Sequence, residues 1–452
     1  MDERDLLPLI SRYGSGRVIC WRNGRAIGVP ELSADVAAVA NALPGGRHML
    51  NACHDRYAFL VGFLAATLQQ RITILTSDCS AQRIAGLAAE FPGVLLSDRP
   101  QEPCRVPTMV LPPLGVGRSS PPDGLSYEIP GDRVVAIAFT SGSTGAPTAH
   151  GKTWRTLTIA TTDAARRFGF DGDATQAIAA TVPPQHMYGF ETTVLLPLLA
   201  NVSTHADRVF YPDDLRRALE YVPEPRVVVT TPFHLRALLR VPLDLPPIQA
   251  IISATAAMPE ALAREAEIRF GAPVREIFGS TETGSIASRR TLDGPAWRLY
   301  DSVRMRSDGA VACVSLAPHN EPIALPDLVQ SIDPRHFRLV GRPADMIKLA
   351  GKRTSLAALE RALREIDGVE DAVFVQLGDG LETGAGRLVA YVVAPGRDVE
   401  TVLRELRRRI DQIFMPRRLI KVDALPRDEL GKLQREKIHQ LDPSRADMAS
   451  TR

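Results

Sequence analysis

Between Val134 and Lys152 the chain reads Val-Val-Ala-Ile-Ala-Phe-Thr-Ser-Gly-Ser-Thr-Gly-Ala-Pro-Thr-Ala-His-Gly-Lys. Val134 to Phe139 is apolar without alternation, the pattern of a strand buried on both faces. At Thr140 the character switches to hydroxyls and glycines: Thr140, Ser141, Gly142, Ser143, Thr144 and Gly145. Glycines at a strand's end let the backbone bring its N–H groups close to an anion, and the hydroxyls add donors, so the chemistry these residues suit is phosphate binding. Gly151-Lys152-Thr153 follows and invites comparison with the Walker P-loop, but that motif needs a glycine five positions before Gly151, where Ala146 stands.

After Thr140 to Pro147 the resemblance is to another phosphate loop, that of the adenylate-forming, acyl-activating enzymes. These include acyl-CoA synthetases, aryl acid ligases and the adenylation domains of peptide synthetases. Thr148 occupies the place of the loop's usual lysine, which supports the β- and γ-phosphates of ATP; the nearest lysine, Lys152, would take that nucleotide-binding role only if the loop is longer or folds back. Further motifs resemble the same superfamily in the same order. Thr181 to Gly189 resembles the segment whose aromatic or histidine walls the acyl pocket, which implies His186, Tyr188 and Gly189 as substrate contacts. Ser253-Ala254-Thr255 resembles the small-residue run under the acyl group and adenine. Phe278-Gly279-Ser280-Thr281-Glu282 resembles the aromatic-Gly-x-Thr-Glu motif. This implies adenine cover from Phe278, a substrate contact at Gly279, an α-phosphate contact from Thr281, and Mg²⁺ on Glu282. A helix N-cap at Ser280 or Thr281 is the bland alternative for that string.

Asp327 falls at the ribose-binding aspartate, although Leu325-Pro326 replace the usual Thr-Gly before it. Gly341 to Arg353 resembles the hinge and the hairpin after it. Arg342 would contact the nucleotide, Gly351 would line the thiol channel, and Ala344 stands where the hinge residue is usually acidic or lysine. Pro426-Arg427-x-x-x-Gly431-Lys432-x-x-Arg435 matches the C-terminal motif in full, implying that Lys432 bridges the carboxylate and the α-phosphate. The resemblance thus implies Lys432, Thr281, Glu282 and His186 as catalytic residues, and ATP with Mg²⁺ as cofactors. It implies a phosphopantetheine thiol as acceptor. Pro147 to Trp154, with Thr181 to Gly189, resembles a subset from bacterial aryl polyene and xanthomonadin pigment clusters. That subset loads a hydroxybenzoate-type acid onto an acyl carrier protein. Coenzyme A is the alternative acceptor, and a non-catalytic descendant that binds nucleotide or acyl group is a further alternative.

The elements that must position these residues alternate strand and helix. Val18 to Val29 around Asn23-Gly24 reads as a hairpin. Leu32 to Leu43, Tyr57 to Gln69, Ser80 to Phe91 and Trp154 to Phe168 read as helices. Met49 to Cys53, Ile72 to Thr76, Val94 to Leu96, Ala177 to Val182, Val227 to Thr230 and Ala250 to Ile252 read as strands. Strands alternating with helices predict an α/β fold, with parallel sheets covered on both faces. Pro100 to Pro130 is expected to be a surface connection. From Gly341 the composition changes to a small α+β module of about 110 residues. In it Ser355 to Ile366 and Val399 to Phe414 are expected as amphipathic helices, and Ala372 to Leu377 and Arg387 to Val393 as strands. The predicted division is a large N-terminal domain of stacked α/β sheets, 1–340, and a small mobile C-terminal domain, 341–452.

The chain has 452 residues and a net charge of +2, so bulk charge gives no footprint for nucleic acid. Ala58 to Leu68 is its longest apolar run, too short to span a bilayer. Five cysteines, widely spaced and with no Cys-x-x-Cys, argue for a reducing compartment, hence a cytoplasmic location, and against a structural zinc site. From Gly341 onward 21 Lys+Arg face 18 Asp+Glu. Arg404, Arg407, Arg408 and Arg409 are expected in one helix, a basic face that would attract an acidic carrier protein.

Overall fold

The computed structural model describes residues 6–11, 16–101, 106–116, 128–139, 148–307, 312–316, 319–341, 346–349, 352–377, 387–428, 431, 433–438 and 441. The phosphate-loop residues Thr140 to Gly145, and Arg342, Ala344, Gly351 and Lys432, lie outside the described residues. By its contacts the chain divides into two units, Met1–Arg304 with Ser315–Ile323 and Met305–Val314 with Ala324–Arg452. The division falls ahead of the composition change at Gly341, because the antiparallel pair Leu328–Ser331 and His336–Gly341 groups with the second unit.

The first unit is built on two sheets. The smaller runs in the order Ala149–Thr153, Val134–Phe139, Ile72–Leu75, His48–Asn51, Gly93–Ser97, Thr108–Val110. All its pairings are parallel except the first. In the larger sheet the first unit's strands run Trp297–Leu299, Gly284–Arg290, Val274–Ser280, Ala250–Ser253, Arg226–Thr230, Gln176–Ala180, Val202–His205, Val18–Arg22, Arg25–Gly28. From Val274–Ser280 to Val18–Arg22 neighbours are parallel. The Val18–Gly28 hairpin turns at Asn23 and Gly24, both with positive φ (50° and 70°), the geometry that Asn-Gly pairs favour.

One apolar core joins the two sheets. It takes Ile19 and Cys20 from the larger sheet, Met49, Leu75 and Ala136 from the smaller, and side chains of the helices Val29–Ala42, Arg56–Leu68 and Trp154–Phe168. Arg56–Leu68 is buried on every side from Arg56 to Thr67, which explains its nearly uninterrupted apolar sequence. The outer face of the larger sheet is covered by Pro212–Tyr221, Pro232–Leu239 and Glu260–Phe270, and that of the smaller by Ala81–Glu90. The architecture is α/β. Among the described residues no helix is long and apolar enough to cross a membrane.

Two expectations are corrected, and one strand is added that the sequence did not suggest. Pro100 to Pro130 contributes two short strands as well as connection: Thr108–Val110 extends the smaller sheet and Glu128–Pro130 pairs with Leu6–Pro8. Residues Ala149–Thr153 form a strand that returns antiparallel along Val134–Phe139, with Ala149 opposite Phe139. The helix expected over Val399 to Phe414 stops at Leu406, and a separate 3₁₀ turn covers Gln412–Phe414. Asp411 accepts from Ile413 N (3.1 Å) and competes with the helical backbone pattern there. Arg407, Arg408 and Arg409 therefore lie beyond the helix that holds Arg404, although all are exposed.

Candidate active site

Strands of a parallel sheet present their carboxyl ends on one edge, the usual location of ligands in open α/β sheets. The segments Thr181 to Gly189, Ser253 to Thr255 and Ser280 to Gly284 all start at that edge of the larger sheet. Phe278 to Gly284 is not a helix start. Val274–Ser280 and Gly284–Arg290 pair antiparallel, and the string between them is a tight turn. Ser280 N donates to Thr283 Oγ1 (3.1 Å) and Thr283 N to Ser280 Oγ (3.3 Å). A side chain at Gly279 would put its Cβ 2.1 Å from Gly284 O, so glycine there is a condition of closing the turn. Phe278 is half-buried and tilts against Trp297, with ring centroids 5.4 Å apart.

Two basic residues of the returning strand face this turn. Lys152 is 6% exposed and its ammonium donates to Glu282 O (2.9 Å). Burial lowers its pKa, opposed by the carboxylates of Glu191 and Glu282. For the Glu282 side chain burial acts upward, but the Ser280 hydrogen bond, the turn's backbone and the charges of His150 and Lys152 outweigh it and hold the carboxyl below its ordinary value. Glu282 is thus an ionised, half-buried oxygen donor, which fits Mg²⁺. One carboxylate suffices, because Mg²⁺ keeps several waters and takes further ligands from phosphates. His150 Nε2 is buried without a hydrogen-bond partner among the described residues.

The expected acyl-pocket wall is held from several directions. Arg56 is fully buried and donates to Val182 O (3.0 Å), fixing the chain as it leaves its strand. His186 caps the short helix Met187–Phe190, its Nδ1 accepting from Tyr188 N (3.2 Å). The Tyr188 hydroxyl is shared between Ile252 O (2.9 Å) and Thr230 O (3.2 Å), tying the helix to two strand ends. A Cβ at Gly189 would lie 2.0 Å from Pro183 O. Tyr188 and Gly189 therefore have structural duties in this wall. Ser253 is fully buried, Ala254 is 8% exposed, and Thr255 is held at φ +77°, a left-handed conformation rare outside glycine and asparagine.

Between the helix Trp154–Phe168 and the larger sheet lies a narrow cavity. Its lining includes Thr161, Glu191, Thr192, Ile252, Ile277 and Ser285, of which Ile252 and Ser285 directly adjoin two of the segments above. Glu191 opens the π-helical turn Glu191–Leu195. Its carboxylate accepts from Ser285 N (3.1 Å) and from Ser285 Oγ. Burial pushes its pKa up, against the Ser285 hydrogen bonds and the Lys152 charge. Arg56, Thr161 and Glu191 were not among the residues singled out in the sequence. The available signal was an acid and two threonines set inside the otherwise apolar run Phe190 to Leu199.

A model of the AMP-binding enzyme family matches residues 28–324. The chain belongs to this family. It is 29% identical over 258 residues to a 4-coumarate–CoA ligase of Rhodobacter capsulatus, a match covering 57% of this chain and 63% of that protein. It is 29% identical over 309 residues to the 4-coumarate–CoA ligase of Halorhodospira halophila, covering 65% and 74%. The fold is that of o-succinylbenzoate–CoA synthetase of Bacillus subtilis, solved with its acyl-adenylate intermediate: TM-score 0.80 at 17% identity, covering 96% and 98% of the two chains.

The AMP-binding enzyme match ends before the Pro426–Arg435 string, and the second unit supplies an independent physical reason for that string. Arg427 grips Asp371 through Nε (2.6 Å) and Nη2 (2.8 Å), while its Nη1 donates to Gly431 O (2.6 Å). Gly431 takes φ +78°, and Gln434 N returns to Pro426 O (2.9 Å). Arginine and glycine at these positions thus tie Pro426, Gly431 and Gln434 to the strand Asp371–Leu377. Asp327 is half-buried and immediately precedes the strand Leu328–Ser331 of the second unit.

Proposed function

We propose that this AMP-binding enzyme activates a carboxylic acid with ATP to an acyl-adenylate and passes the acyl group to a phosphopantetheine thiol. The observation that carries the reading is the Ser280–Gly284 turn at the carboxyl edge of the parallel sheet. Its ionised Glu282 is braced by Lys152 and flanked by His150. The acid is an aromatic, hydroxybenzoate-type compound, and the acceptor is an acyl carrier protein. The relatives named for 4-coumarate support an aromatic acid. Their names also favour a second reading, with coenzyme A as the acceptor.

The chain's task is positioning and charge neutralisation. The acid's carboxylate oxygen attacks the α-phosphorus in line and pyrophosphate leaves. Mg²⁺, when bound on Glu282, offsets phosphate charge. Thr140 to Gly145 hold the departing phosphates, Thr281 holds the α-phosphate, Phe278 covers the adenine, and Asp327 and Arg342 hold the rest of the nucleotide. Lys432 draws the two reacting anions together. In the second half-reaction the thiol enters past Gly351 and its sulfur displaces AMP from the acyl carbon.

The test is pyrophosphate release from ATP and Mg²⁺ across hydroxybenzoates, cinnamates, fatty acids and amino acids. Release should be strongest with 3- or 4-hydroxybenzoate, and Lys432→Ala should lower it at least about a hundredfold. Release confined to fatty acids would replace the aromatic reading. Unchanged release in the variant would remove Lys432 from the mechanism.

A further inference from the structure

The cavity between the helix Trp154–Phe168, the Glu191 turn and Ser285 is apolar but for a few groups, and these are unevenly satisfied. Thr192 Oγ1 donates to Tyr188 O (2.7 Å), and Ser285 Oγ is on Glu191. Thr162, next to Thr161 on its helix, returns its hydroxyl to Thr158 O (2.8 Å). Thr161 does not. It is 3% exposed and its Oγ1 has no hydrogen-bond partner among the described residues, a costly arrangement for a buried hydroxyl. Ser253 Oγ, one residue beyond the lining residue Ile252, is likewise buried without one.

The cavity has room for about one water-sized group. What enters it is therefore a single small polar substituent, not a ring. Glu191 offers acceptor lone pairs, and Thr161 offers both a donor and an acceptor. A hydroxyl satisfies both, since it donates and accepts at once. A hydrogen or methyl leaves Thr161 unmet, and a carboxylate would bring a charge into an otherwise apolar site. Two of its lining residues border segments that begin at the sheet's carboxyl edge, Ile252 immediately before Ser253 and Ser285 immediately after Gly284, so the far end of an acid bound along that edge would meet the cavity.

We propose that Thr161 and Glu191 form a hydroxyl-reading subsite that selects acids carrying a hydroxyl group distal to the carboxylate. This rests on the acid-activating reading above and adds to it the residues that set specificity. Neither residue touches the reacting atoms.

The experiment compares the affinities of 3- and 4-hydroxybenzoate with that of benzoate by calorimetry, alongside pyrophosphate release in the same samples, for the wild type, Thr161→Val and Thr161→Ser. The wild type should bind one hydroxylated acid about tenfold more tightly than benzoate. Thr161→Val, nearly isosteric, should bring that ratio close to one, and Thr161→Ser should restore it. Equal ratios in wild type and Thr161→Val, or no preference in the wild type, would overturn the subsite. Discrimination by the hydroxyl with no pyrophosphate released from any acid would support the subsite while sinking the catalytic reading.

Discussion

Replacing Lys152 with methionine removes the ammonium that holds Glu282 O and partly compensates buried Glu191. Losing a charge-assisted hydrogen bond to a covered carbonyl costs about 2 kcal/mol, so the variant should lose roughly that much stability in denaturant titration. Its kinetics separate two roles. A lysine that touches phosphate would raise the KM for ATP when lost. A lysine that only braces the Glu282 turn would lower kcat and raise the Mg²⁺ requirement at unchanged KM. The geometry favours the second outcome, because the ammonium is already committed to the turn and is almost wholly covered. Spacing on its own could assign Lys152 only to the place of the lysine absent at Thr148. The strand Ala149–Thr153 that turns it inward contains Gly151 and His150 and has no apolar alternation, so no local signal announced it.

At the scale of elements, what repeats locally was legible and what pairs at a distance was not. The helix Trp154–Phe168 was readable to the residue, with Thr153 as its N-cap and Gly169 closing it in a left-handed conformation. The Phe278–Gly284 string was legible as a motif, yet its own residues suit a helix N-cap as well as a turn, and pairing with Gly284–Arg290 decides the matter. In Val399 to Phe414 the apolar period continues through Ile410 and Ile413. Arg404 and Arg408, like charges four apart, and the Asp411 turn break the helix. The Arg427 clamp gives a prediction at this scale. Burial would raise Asp371, but the hydrogen bonds and charge of Arg427, with Arg364, outweigh it and keep its pKa below the ordinary range. A depressed carboxylate stabilises above its unfolded pKa and loses that contribution as pH falls through the folded value. Asp371→Asn should therefore cost about 2 kcal/mol at neutral pH, and the gap to wild type should close as pH drops below about 4. Urea titrations at several pH values check the sign. A gap that widens in acid would show that Asp371 is not the anchor of the Arg427 segment.

At the scale of the whole molecule, the proposed transfer of the acyl group to a thiol is tested at the surface of the second unit. Arg404, Arg407, Arg408 and Arg417 are all exposed, while Arg409 is engaged with Glu405 (3.4 Å). Fixed positive charge at the rim of an interface speeds encounter with an acidic partner more than it tightens the final complex. Reversing two of these charges, Arg407→Glu with Arg408→Glu, should therefore raise the KM for an acidic holo-carrier protein about tenfold, with the effect shrinking as salt approaches 0.5 M, where screening is short-ranged. Pyrophosphate release without any thiol should not change, since neither arginine belongs to the adenylation site. Coenzyme A carries phosphates of its own, so sensitivity to charge cannot by itself separate the two acceptors. The deciding comparison is the wild-type kcat/KM for thioester formation on the holo-carrier against that on coenzyme A. A carrier preference of tenfold or more that collapses in the reversal variant would make the basic surface a docking site. Equal efficiency, with the variant unaffected, would make the arginines a solvated face and coenzyme A the sufficient acceptor.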